Sequence, residues 1–165
     1  MLCVRSRQVM LSALLLCTGI TLSAQNALKT KFSSTTTYTG IEVGSKGVKM
    51  SVIEMGKNAK STGAFHILKD TSVNTDFISF TDPSFEATLE GITALYNKAL
   101  NEYRIPSKRI FTVISSGVKM QAEKDKKTEW INRLISSFRQ KTGEPGRQVE
   151  VVDVEKEARL SHLGI

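Results

Sequence analysis

Along the chain, apolar positions switch between an alternating pattern and a pattern that recurs every three to four residues. Residues 38–43 form a short apolar run. Residues 48–55 alternate well enough to be the second arm of a hairpin across the tight turn Gly44-Ser45-Lys46-Gly47. After the polar connection Lys57-Asn58, residues 63–68 offer a third strand. Asp82-Pro83 reads as a helix start, because Asp can cap free amides and Pro fits the first turn. Phe85, Leu89, Ile92, Leu95, Leu100 and Tyr103 then recur at three- to five-residue steps until Pro106. Residues 109–114 are a buried-type strand. The spacing predicts a second helix over 127–141, with Trp130, Leu134, Ile135 and Phe138 inward and Gly143 as its stop. Residues 149–152 make another strand, and Asp153 caps a short helix carrying Glu155, Glu157, Ala158 and Leu160. The order β-β-β-α-β-α-β-α predicts an α/β fold, a mixed sheet with flanking helices.

The first residues follow a different logic. Arg5 and Arg7 precede an apolar stretch over 9–20, and small residues follow at Ser23-Ala24. This is the layout of a secretory signal peptide over residues 1–24. The apolar run is shorter than the roughly 20 residues of a comfortable membrane span. Leu22 stands where a small residue is preferred, so a retained N-terminal anchor is the alternative to cleavage after Ala24. Contact with a membrane is expected only through this segment, if it is uncleaved. Cleavage would remove both cysteines, Cys3 and Cys17, leaving neither a disulfide framework nor a cysteine metal site. The expected location is periplasmic or secreted. Residues 25–37 are polar and rich in Ser and Thr, a flexible lead-in to one domain over 38–165.

Composition adds two constraints. The 165 residues are 40% hydrophobic and 24% charged, enough for one domain with a core and too few for two ordinary ones. The formal net charge of +7 favours anionic partners. Nucleic acid is not expected, since the lysines are dispersed and aromatics, at 7%, form no stacking platform. His66 and His162 lie far apart, without metal-ligand spacing.

Three segments carry candidate chemistry. Glu42 stands at a strand end, followed at once by Gly44, Ser45, Lys46 and Gly47. Backbone amides beside a hydroxyl and an ammonium suit a phosphate. The glycine spacing is not that of a Walker loop, and taken alone the residues are better explained by an ordinary hairpin turn. Ser115-Ser116-Gly117-Val118-Lys119 follows a strand, where hydroxyls and a lysine can hold phosphate oxygens, or simply form a polar loop. Asp153, Glu155 and Glu157 sit in a first helical turn, as dipole-matching residues or as a general base.

Together these segments resemble the N-terminal half of the exopolyphosphatase and guanosine-pentaphosphate phosphohydrolase (Ppx/GppA) family, in the actin-like ATPase superfamily. That family opens with an Asp-Leu-Gly-Ser-Asn turn, where this chain has Glu42-Val43-Gly44-Ser45-Lys46. It later runs a strand into Gly-Thr, where Ile114-Ser115-Ser116 stands here. It closes its first half with Glu-Glu-Ala-Arg, matched by Lys156-Glu157-Ala158-Arg159. The resemblance covers roughly residues 38–165 and implies the first half of a ribonuclease-H-like actin-ATPase fold. It implies Glu157 as the catalytic carboxylate that activates water, and Glu42 as the metal-side acid. Gly44, Ser45, Lys46, Ser116 and Lys119 would be the phosphate-binding residues, with Mg²⁺ as the cofactor. The implied substrate is polyphosphate or another phosphorylated small molecule. The departures are Glu42 for Asp, Lys46 for Asn, and Met120 near the family's arginine, with Lys119 the nearest cation. The family's second half, which opens on an Asp-x-Gly-Gly-Gly-Ser loop, is expected to be missing. Hydrolysis would then be incomplete in this chain, leaving open a non-catalytic phosphate-binding module, a homodimer, or pairing with a second lobe.

Overall fold

The computed structural model describes residues 28–32 and 35–163. The signal peptide read from the sequence lies outside them. A five-stranded mixed sheet is built from β1 (Thr35–Val43), β2 (Gly47–Gly56), β3 (Phe65–Asn74), β4 (Ile110–Ile114) and β5 (Glu150–Val151), in the order β3-β2-β1-β4-β5. The strands β1, β2 and β3 form an antiparallel meander, whereas β4 runs parallel to β1 and β5 parallel to β4. The helices are α1 (Ala59–Thr62), α2 (Asp82–Asn97), α3 (Ser116–Lys124), α4 (Thr128–Thr142) and α5 (Val154–Leu163). No helix among the described residues is long and apolar enough to cross a membrane.

The expected hairpin forms, with Val43 opposite Val48 and Ile41 opposite Met50. Both arms alternate, so Ile41 and Val43 join Val48, Met50 and Val52 on one buried face. Against that face packs α2 with Phe85, Leu89, Ile92 and Leu95, and α4 packs on α2, adding Ile131, Leu134 and Phe138 to the same core. Tyr96 and Phe138 meet edge to face, centroids 5.7 Å apart. As expected, α4 stops at Gly143, which takes a left-handed conformation at φ 68°.

Several boundaries differ from the reading of the sequence. Strand β3 continues to Asn74, well past residue 68, because it is an edge strand whose side chains face mostly solvent. Its polar second half therefore needs no apolar alternation. Helix α2 is capped by Thr81, not Asp82: Thr81 and Ser84 exchange side-chain and backbone hydrogen bonds in a capping box. Asp82 is instead a helical residue, paired with Arg133 at 2.9 Å. The helix continues into a π-turn over Lys98–Glu102. Strand β1 starts at Thr35, and the lead-in is partly tied down: the amides of Lys31 and Phe32 donate at 2.7–2.9 Å to Glu54. Glu54 is a fully buried carboxylate at an inward position of β2, so these backbone donors satisfy a charge that would otherwise be costly. Helix α3 is an element the apolar pattern did not announce, since its buried side chains are only Val118 and Ala122.

Arg147 latches the loop between α4 and β5. Its guanidinium is buried and donates to Glu144 Oε2 at 2.8 Å, the Ile110 carbonyl at 3.0 Å and the Tyr96 hydroxyl at 2.9 Å. It also donates to Ser107 Oγ at 2.8 Å and lies over the Tyr96 ring. Tyr96 and Ser107 donate in turn to Glu144. Burial pushes the Glu144 carboxyl upward, but these three hydrogen bonds and the charge of Arg147 outweigh it and hold the group below its ordinary value of 4.5. The stabilisation from a lowered carboxyl is whole above the ordinary value and is lost as pH falls through the native one. The stability gap between wild type and Glu144→Gln should therefore be constant from pH 6 to 7 and shrink below about 4.5. Urea titrations across that range check this; a gap that widens on acidification contradicts it.

Candidate functional site

The site lies at the end of the sheet where the parallel strands β1 and β4 both terminate. Val43 pairs with Ile114, and the Ser115 amide donates to the Val43 carbonyl at 3.0 Å. Two chain reversals thereby meet: the hairpin turn after β1 and the start of α3 after β4. The turn is closed by the Gly44 amide donating to the Gly47 carbonyl at 2.9 Å. A methyl group at Gly47 would sit 2.4 Å from the Val73 carbonyl oxygen, so only glycine lets β3 approach the turn this closely. A methyl at Gly117 would lie 3.3 Å from Ser45 Oγ, a measure of how near α3 comes to the hairpin.

A cleft of about 410 Å³ opens between these reversals. Six of the residues expected to act together line it: Glu42, Gly44, Ser45, Lys46, Ser116 and Glu157. Glu157 arrives from α5, and its Oε2 accepts from the Ser116 amide at 3.3 Å. A segment 41 residues away in sequence is thus brought to the first turn of α3. Lys46 reaches the cleft from the turn, yet its ammonium is engaged by Asp76 at 3.0 Å in an exposed pair. Lys119 does not line the cleft. Its ammonium faces Asp153 and Glu123, each at 3.9 Å.

Three further polar residues line the cleft that the sequence reading did not single out, Lys49, Ser72 and Asn74, together with the apolar Val73. Lys49 is the cross-strand partner of Glu42, and Ser72 the partner of Lys49. Lys49 carried only an outward strand position, which any surface strand shows, and Ser72 and Asn74 lay beyond the strand read over 63–68. A larger cavity, about 800 Å³, lies along the outer edge of β4, away from these groups. Its arginine is Arg147, whose donors are consumed by the latch.

Chemically, the cleft offers free amides at the start of a nine-residue helix, serine hydroxyls, two lysines and two carboxylates. Amides and ammonium groups suit an anion with several oxygens. Among the described residues no three acids or histidines converge. Two carboxylates still fit Mg²⁺, which is held by one or two carboxylates while water and substrate phosphate supply the rest.

No family model and no curated protein matches the sequence. Solved structures do match the fold. An Aquifex aeolicus member of the Ppx/GppA protein family superposes with a TM-score of 0.57 at 19% identity, over 79% of this chain and 39% of that one. An exopolyphosphatase from Cytophaga hutchinsonii gives 0.52 at 17% identity, over 76% of this chain and 36% of that one. The fold is the actin-like one of the Ppx/GppA structures. An exopolyphosphatase-like protein matches similarly, at 0.53 and 17% identity. The chain spans between 35% and 39% of the length of these three structures.

Gly47→Ala tests the geometry of the site. The methyl must push β3 from the turn, so the variant should lose about 1–3 kcal/mol of stability, the scale of a backbone-level overpacking. Its amide spectrum should change at Asn74 and Thr75, whose amide donates to the Lys46 carbonyl at 3.1 Å. A stable variant with an unchanged spectrum would mean that the turn does not depend on glycine.

Proposed function

We propose that this cleft binds the terminal phosphate of a phosphorylated small molecule, as one wall of an exopolyphosphatase-type hydrolytic site. The observation that carries the reading is the convergence of Glu42 with the Gly44-Ser45 turn, Ser116 and Glu157 from three separate chain segments. The Ppx/GppA fold supports it, and polyphosphate or a guanosine polyphosphate is the substrate class that follows. In this role the amides of the hairpin turn and of α3 would cradle phosphate oxygens. Glu157 would take a proton from water as the new O–P bond forms and the anhydride P–O bond breaks. Glu42 would hold Mg²⁺, which supplies charge neutralisation on the phosphoryl group.

The rest of such a site would come from a second phosphate-binding element, on another lobe or chain, since the cleft has one wall here. Action outside the cytoplasm is part of the proposal and rests on the charged, apolar and small-residue order of residues 5–24. That location favours inorganic polyphosphate over a cytosolic nucleotide. A binding module without turnover is the second reading, favoured by the engagement of Lys46 with Asp76.

The experiment is phosphate release from medium-length polyphosphate with Mg²⁺, for wild type and Glu157→Gln. Glu157→Gln should fold normally and turn over more slowly by about a hundredfold or more, the scale of a lost general base. Unchanged turnover would remove Glu157 from the role. Tight binding with no release, even at concentrations at which two copies of the chain associate, would establish the second reading.

A further inference from the structure

Helix α5 carries Glu157, yet it is poorly anchored by burial. Every residue from Asp153 to Leu160 is exposed, so apolar packing does little to orient the helix. Two polar contacts reach it from α3. The Ser116 amide meets Glu157 at 3.3 Å, and the Lys119 ammonium meets Asp153 Oδ2 at 3.9 Å. These contacts form two rungs, because Ser116 and Lys119 are one turn apart on α3 while Asp153 and Glu157 are one turn apart along α5. Asp153 is also the cap of α5: its Oδ1 accepts from the Lys156 amide at 2.8 Å. Whatever holds Asp153 therefore holds the first turn of the helix, and with it the direction of Glu157. Lys119 itself is two-thirds covered and sits outside the cleft.

We propose that Lys119 is a positioning residue that fixes the cap of α5 through Asp153 and so aims Glu157 at the cleft, rather than a phosphate ligand. The role in aiming a base rests on the reading of Glu157 above, whereas the contact that holds α5 stands without it. Glu123 shares the ammonium from one turn further along α3, which keeps Lys119 directed at the helix pair.

The test uses the full chain in two measurements: hydrogen exchange at the α5 amides, and calorimetric binding of inorganic tripolyphosphate. Lys119→Ala should speed α5 exchange by about three- to fivefold, the scale of one exposed ion pair. It should leave the tripolyphosphate Kd within about twofold, a shift well inside the tenfold worth of 1.4 kcal/mol. Lys119→Arg should restore wild-type exchange. Asp153→Asn keeps a capping side chain but loses the charge, so it should match Lys119→Ala, and the double variant should be no faster than either single. A tenfold loss of tripolyphosphate affinity with α5 exchange unchanged would overturn the proposal and make Lys119 a ligand. Additive effects of the two substitutions would overturn it as well. If wild type binds no tripolyphosphate, the phosphate reading of the cleft fails, and the exchange data alone uphold or overturn the hold of Lys119 on α5.

Discussion

The parallel pairing of β1 with β4 is the constraint on which the rest of this structure depends. Parallel neighbours end at the same edge of the sheet, so the turn after β1 and the helix start after β4 must emerge side by side. The bond from the Ser115 amide to the Val43 carbonyl continues the ladder one step beyond the strands and sets the spacing of the two reversals. Once they are adjacent, glycines at the hairpin and at the start of α3 leave backbone amides uncovered, and a cleft follows from topology alone. The third contribution comes from β5, also parallel to β4, which delivers α5 and Glu157 to the same edge.

The buried arginine latch and the candidate site occupy opposite ends of β4. Near Ile110, the buried Arg147 spends its donors on Glu144, Tyr96, Ser107 and a strand carbonyl. That latch anchors the loop leading into β5, so the short strand lies where its chain can continue into α5. Near Ile114, among the described residues, nothing comparable ties the polar groups together: the serines, lysines and carboxylates there are at least partly solvated. The net charge of +7 then acts at longer range, raising the local concentration of anions around the chain.

What the sequence revealed depended on how locally each feature is encoded. The hairpin was legible because alternation and a four-residue glycine turn sit next to one another. Helices α2 and α4 were legible because long apolar residues repeat on one face. Helix α3 was not, since Val118 and Ala122 are its only buried side chains and a polar nine-residue run looks like a loop. Glu42, Gly44, Ser45, Lys46, Ser116 and Glu157 stood out from their junction positions and from the family resemblance, and the fold gathers them in one cleft. Lys49, Ser72 and Asn74 did not, because their membership comes from strand register across β1, β2 and β3 rather than from neighbouring residues. Arg147 was hidden for a similar reason: its partners are spread from residue 96 to residue 144, and a lone arginine in a Pro-Gly loop gives no hint of burial.

The central claim is that the hairpin turn and the start of α3 form one anion site. Amide chemical shifts of the full chain, followed during titration with inorganic tripolyphosphate, test it most directly. The account predicts concerted shifts at Gly44 to Gly47 and at Ser115 to Gly117, with a single shared affinity. Shifts confined to one of the two segments, or centred instead on the Arg147 loop beside the larger cavity, would contradict it.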